Sequence, residues 1–116
     1  MYSAMRLKKR YAVFQVKSDA NLSEREVNEG ISAFFLRFFG EYGHSKLSFR
    51  LLQYDDEKKL GILRCERGAL KEVLGALALI DSLGQKKARA VSLASSGTIK
   101  SLREKGFDFI DEKEEK

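Results

Sequence analysis

The sequence contains no proline and no tryptophan, a single cysteine and a single histidine. Cys65 alone excludes an internal disulfide, and with His44 as the only histidine there is no Cys/His cluster to hold zinc. A catalytic Ser-His-Asp or Cys-His arrangement would have to be built on His44, which follows Gly43 and reads as a loop residue, so no catalytic residue is assigned. No stretch approaches the roughly 18 consecutive apolar residues of a spanning helix, and Met1-Tyr2-Ser3-Ala4-Met5-Arg6 lacks the apolar segment of a signal peptide. We therefore expect a cytoplasmic protein with no membrane partner. Amides are scarce too, with two Asn and three Gln beside 22 basic and 17 acidic residues. That bias is the one thermophile proteins show, and it makes a hot-living source the expectation.

What is present is 116 residues, 43% apolar and 34% charged. That is the size of one domain, spanning 1–116, and enough to bury roughly two-thirds of its unfolded-chain surface. The acidic end, 111–116, reads as a frayed tail. The net charge of +5 is unevenly spread. Residues 1–17 carry Arg6, Lys8, Lys9, Arg10 and Lys17 with no acid, and residues 85–106 carry Lys86, Lys87, Arg89, Lys100, Arg103 and Lys105 against Glu104 alone. The stretches between and after these are close to balanced or acidic. Two basic segments brought together by a fold would make one surface suited to phosphates.

Hydrophobic spacing supplies the elements. Tyr11 to Val16 is a short run of β-branched and aromatic residues and reads as a strand. Ser23-Glu24-Arg25-Glu26 has the form of a capping box. The helix it opens has Val27, Ile31, Phe34, Phe35 and Phe38 on its core stripe and Gly40 or Gly43 as its stop. Lys46 to Tyr54 alternates, with Leu47, Phe49 and Leu51 facing one way, and pairs through the turn at Asp55 to Lys58 with a strand from Lys59 to Cys65. Ala69 to Leu83 reads as a second helix ended by Gly84, Ala88 to Ala94 as a fourth strand, and the residues after Thr98 as a short third helix. The order predicts an α+β, ferredoxin-like or RRM-like split β-α-β sandwich, with a four-stranded antiparallel sheet, two helices and an added C-terminal helix. First and fourth strands are neighbours in that arrangement, so the two basic segments should form one face.

Both faces of the first and third strands are largely apolar, yet two helices cover only one face. The third helix, the segment Phe107 to Ile110 or another chain must cover the second. Base stacking on the sheet is not expected, because Lys59-Leu60-Gly61-Ile62-Leu63-Arg64 offers no aromatic where RNA-recognition motifs carry them. Ser95 to Thr98 before Lys100 and Arg103 could hold a phosphate at the helix start or be an ordinary N-cap. Arg64 could be a buried structural arginine or face RNA with Arg67, and Cys65 reads as a small buried hydrophobe.

Arg10-Tyr11-Ala12-Val13-Phe14, Arg64-Cys65-Glu66-Arg67, the alanine-rich helix before Gly84, and Ser96-Gly97-Thr98-Ile99-Lys100 together resemble the ribonuclease P protein component 2 family, from about Arg6 to Gly106. The resemblance implies a subunit of the ribonucleoprotein that removes the 5′ leader from precursor tRNA. It implies that the RNA subunit carries the catalytic site and magnesium, with no cofactor or metal on the protein. The partners implied are ribonuclease P RNA, precursor tRNA and a protein subunit of TIM-barrel-like fold, with dimerisation of such pairs. RNA contacts are placed on Arg64, Gly97, Thr98 and Lys100 from the motifs. Charge adds Arg6, Lys8, Lys9, Arg10, Lys86, Lys87 and Arg89, flanked by Arg67 and Arg103. The competing reading is a small-molecule-binding regulatory domain, since the fold hosts many functions.

Overall fold

The computed structural model describes residues 8–111. Its elements run β1 (Lys9–Lys17), α1 (Glu24–Leu47), β2 (Arg50–Asp55), β3 (Leu60–Glu66), a 3-10 turn (Arg67–Ala69), α2 (Leu70–Leu77), β4 (Ser82–Leu83), β5 (Lys86–Lys87), β6 (Arg89–Ser96) and α3 (Ile99–Glu104). β2, β3, β1 and β6 form one antiparallel sheet in that order, the ferredoxin-like arrangement expected. The two-residue strands β4 and β5 pair separately as a small hairpin.

Alternation across β1 divides the core in two. Ala12, Phe14 and Val16 face α1 and α2, joining Val27, Ile31, Phe35, Leu63, Val73 and Leu77. Tyr11 and Val13 face the other way, with Leu52, Ile62, Ile99, Leu102 and Ile110, and Phe107 and Phe109 pack at the margin. The second face is thus covered by α3 and the segment after it, two of the three covers considered from sequence.

The capping box forms as predicted. Ser23 Oγ accepts from the Glu26 N–H at 3.1 Å, and Glu26 Oε1 accepts from the Ser23 N–H at 2.9 Å. Lys86 Nζ donates to Glu26 Oε2 at 2.8 Å, and that bond, followed by the Ser23 backbone, holds the Glu26 carboxyl below the usual carboxylate range. A carboxyl lowered in the folded state stabilises above its unfolded pKa and loses that contribution as pH falls through its folded value. Wild type should therefore be more stable than Glu26→Gln at neutral pH, and their urea midpoints should converge in acid. A gap that persists unchanged to low pH would contradict this.

Three expectations change at element ends. The strand expected from Lys46 starts at Arg50, because Lys46 and Leu47 close α1 and Ser48 caps it in the left-handed region (φ 49°). Gly40 (φ 77°) breaks α1 without ending it, and His44, read as a loop residue, lies on the helical stretch beyond the break. Phe38, assigned to the core stripe, is 53% exposed, while Phe35 is fully buried. Second, α2 stops at Leu77. Ile80 and Leu83 keep the helical spacing but are buried beyond the helix, Leu83 on β4 against Gly30, where an added Cβ would come within 2.9 Å of Leu83 Cβ. Gly84 (φ 65°) makes the β4–β5 turn instead of a helix stop. Third, the fourth strand of the sheet runs from Arg89 through Ser96, so Ser95 and Ser96 belong to β6 and Thr98 caps α3.

Two bulges set side chains where strict alternation would not. Leu52 is the extra residue of β2 opposite β3, and Leu93 that of β6 opposite β1. The first lets Leu51 pack on the helix side while Leu52 joins the outer core and Gln53 bonds to Phe109.

Candidate nucleic-acid interface

The antiparallel register decides how the basic residues are shared out. Tyr11 pairs with Ser96 and Lys17 with Arg89. The two basic segments do lie side by side along β1 and β6, but their charges gather at opposite ends of the sheet. At about 3.3 Å per residue, Lys9 and Lys17 are roughly 26 Å apart along β1. The single basic face expected from sequence is therefore two clusters, because antiparallel strands put the start of one beside the finish of the other.

The near end, where β1 begins and β3 and β6 finish, holds Lys8, Lys9, Arg10, Arg64, Arg67, Gly97 and Thr98. Arg67 N–H donates to the Lys8 carbonyl at 2.7 Å, which fixes the β3 end against the start of β1. The Arg10 guanidinium lies against Gly97, where an added Cβ would run into Nη1. The glycine of the matched Ser-Gly-Thr motif thus makes room for the arginine of the first-strand motif. Lys8 and Arg67 are exposed, and Lys9, Arg10 and Arg64 half-buried. Arg6 lies outside the described residues.

Thr98 accepts from the Ser101 N–H at 3.1 Å and Ser96 from the Thr98 N–H at 3.4 Å, the N-cap geometry considered from sequence. Lys100 is exposed on the first turn of α3. Arg103 has a different task. Its Nη1 donates to the carbonyls of Ile110 and of Asp108, the latter at 3.3 Å. The Gln53 amide grips the same segment from β2, donating to Phe109 O at 2.6 Å and accepting from the Asp111 N–H at 2.8 Å. Arg103 and Gln53 so clamp the segment that closes the outer core, and Asp111, assigned to a frayed tail, is held; residues 112–116 lie outside the described residues. Arg103→Ala should lower stability by about 1–3 kcal/mol through unsatisfied carbonyls and a loosened cover, whereas Lys100→Ala should leave the melting temperature within about a degree or two of wild type. Equal melting temperatures for both variants would argue against the clamp.

The far end holds Lys17, Lys87 and Arg89, all exposed, with Lys86 on the neighbouring hairpin. The Lys86 ammonium is engaged by Glu26 and by the Asn21 carbonyl at 3.1 Å, so it adds less free charge than Lys87 and Arg89. Lys17 was not singled out from sequence as a contact. Its place at the end of the first strand, directly opposite Arg89, is the signal that could have found it.

Cys65 is fully buried, and burial, with Glu66 next, pushes its thiol up to about 11, so it stays a neutral, unreactive thiol. Among the described residues, no group of three or more His, Cys, Asp or Glu side chains is placed to hold a metal ion. No helix there is long and apolar enough to cross a membrane. What this end of the sheet offers is positive charge with exposed hydrogen-bond donors, fit to grip phosphate oxygens.

Residues 10–106 match the model of the Rpp14/Pop5 family. Among curated proteins, the ribonuclease P protein component 2 of Pyrococcus furiosus is 37% identical over 101 residues, covering 87% of this chain and 84% of its own. That of Archaeoglobus fulgidus is 34% identical over 102 residues, covering 88% and 91%, and that of Methanocaldococcus jannaschii is 37% identical over 99, covering 85% and 72%. A chain in the cryo-EM structure of yeast ribonuclease MRP superposes with a TM-score of 0.65 over 90% of this chain and 96% of that one, at 14% identity, a likeness of fold.

Proposed function

Because the chain belongs to the Rpp14/Pop5 family, and is thereby a protein subunit of ribonuclease P, we propose that it serves that ribonucleoprotein by gripping RNA phosphates with the near end of its sheet. The observation that carries this is the convergence of three segments far apart in sequence. Arg10 of the first strand, Arg64 and Arg67 of the β3 end, and Gly97 and Thr98 before α3 come to the same end of the sheet, Arg10 beside Gly97 in register with Cys65 on the helix side and Arg64 in register with Tyr11 on the outer face. Backbone phosphates are the ligand such a site takes, and phosphate contacts orient a protein on folded RNA without reading its sequence. The far-end cluster, Lys17, Lys87 and Arg89, offers a second hold on the same RNA.

In this reading the RNA subunit carries the catalytic site and its magnesium, precursor tRNA loses its 5′ leader there, and this chain stabilises the RNA fold. A TIM-barrel-like protein subunit is its protein partner, with two such pairs able to associate, in the cytoplasm. The exposed side chains of Leu36, Phe38 and Tyr42 on α1 supply apolar surface for protein contact. The small-molecule regulatory reading has no support from the comparisons and is not favoured.

Reconstitution tests the proposal. Cleavage of precursor tRNA by the ribonuclease P RNA should rise when this chain and its protein partner are added, and the gain should shrink steeply with salt. Cleavage indifferent to the chain at every salt concentration would refute it.

A further inference from the structure

One rung of the sheet crosses all four strands: Arg50 on β2 pairs with Arg64 on β3, Arg64 with Tyr11 on β1, and Tyr11 with Ser96 on β6. Directly paired residues share a face, so Arg50 and Arg64 stand side by side on the outer face, neighbouring strands lying about 5 Å apart. Two like charges directly opposite one another destabilise a sheet unless something negative lies between them. Among the described residues, neither arginine belongs to an ion pair, and Arg64 Nε is buried without a hydrogen-bond partner. Glu66, the next outward-facing residue of β3, accepts from the Gly68 N–H at 2.8 Å, and opposite it on β1 stands Lys9. Tyr11 and Ser96 bring no charge. The register therefore sets two arginines opposite one another on adjacent strands, with no ion pair to either among the described residues.

We infer that Arg50 and Arg64 form a paired seat for a backbone phosphate of the bound RNA, which makes Arg50, on the edge strand, an RNA-binding residue. The inference rests on the RNA-binding reading above and adds where a phosphate sits and on which pair. Guanidinium groups present planar, forked donors matched to phosphate oxygens, and two of them one strand apart can share one anion. Arg50 is exposed and Arg64 half-buried, so one side chain is held by packing while the other is free to close on the ligand. The pair also adjoins Lys9 and Tyr11 of β1, which places the phosphate on the border of the near-end cluster.

The test measures binding of the full chain to ribonuclease P RNA across a range of salt, beside thermal melting. Arg50→Gln should weaken binding about tenfold, lower the slope of log affinity against log salt by about one, and leave the melting temperature unchanged or raised. Arg50→Lys should keep the slope and lose part of the affinity, since it retains charge without the fork. Arg37→Gln, on the exposed side of α1, should change neither affinity nor slope and controls for net charge. Binding by Arg50→Gln equal to wild type would overturn the inference while leaving the RNA-binding reading standing. A loss as large in Arg37→Gln would overturn it as a general charge effect. Wild-type protein that shows no salt-dependent binding would bring down the reading and the inference together.

Discussion

Phe14→Ala should destabilise the protein by about 3–5 kcal/mol, the range for deleting a fully buried phenylalanine. That is a large share of the roughly 5–15 kcal/mol that keeps a domain folded. Phe14 is completely buried at the centre of the sheet, paired with Gly61 on β3 and Ser92 on β6. Its ring lies over Gly61, where an added Cβ would meet Cζ at 2.6 Å and Cε1 at 2.9 Å. Glycine inside a strand loses backbone entropy and packs nothing, and here the neighbouring ring occupies the space its missing side chain leaves. The two positions are therefore coupled. Gly61→Ala alone should cost about 1–3 kcal/mol by overpacking. Added to Phe14→Leu it should cost less, because the shorter side chain vacates the site the new methyl needs. Chemical denaturation of the four proteins measures the coupling, and strictly additive losses would show that the ring does not depend on Gly61.

The second large effect is on RNA. Removing Lys9, Arg10 and Arg67 together, each to Ala, should weaken binding to ribonuclease P RNA about a hundredfold or more at moderate salt and lower the salt slope by about two to three. These three line the near end on β1 and the turn after β3, and none forms an ion pair among the described residues. Their loss should leave folding largely intact, since Arg67 ties the elements through its main-chain N–H, which alanine keeps. The matching triple at the far end, Lys17, Lys87 and Arg89 to Ala, removes the same charge and should weaken binding less. Equal losses would mean the RNA responds to total charge, and a greater loss at the far end would move the principal contact there.

Much of this was legible in the sequence, for local reasons. The first strand, the capping box at Ser23, the β2–β3 hairpin and the neighbouring of first and fourth strands all follow from periodicity and turn chemistry. Leu83 and Phe38 were misplaced because the helical period is blind to where a chain turns or breaks. Leu83 sits at helical spacing after Ile80 yet folds back through Gly84, and Phe38 falls on the exposed flank of a helix broken two residues later. Segment charges were readable, but which end of the sheet each would occupy depends on register, a property of two strands at once. The task of Arg103 was hidden for a similar reason: its partners are main-chain carbonyls, which leave no mark in the sequence. Pairing of Arg50 with Arg64 also needed the register of the hairpin, shifted by the bulge at Leu52.

The sheet order has a consequence for the chain as it is made. β1 lies in the interior of the sheet, and one of its two partners is β6, the last of the sheet's four described strands in chain order. Until β6 leaves the ribosome, an entire edge of β1, with its unpaired N–H and C=O groups, faces water. The outer core, which needs Ile99, Leu102 and Ile110, has no cover either. Closure then draws together β1 and β6, strands more than 70 residues apart in the sequence, a long-range step that folds slowly compared with local contacts. The proposed phosphate-binding end depends on this step too, because Gly97 reaches Arg10 only when β6 is in place. A chain lacking β6 would keep its first basic segment but not the juxtaposition of Arg10 and Gly97, so the proposed phosphate-binding end forms only once β6 has paired.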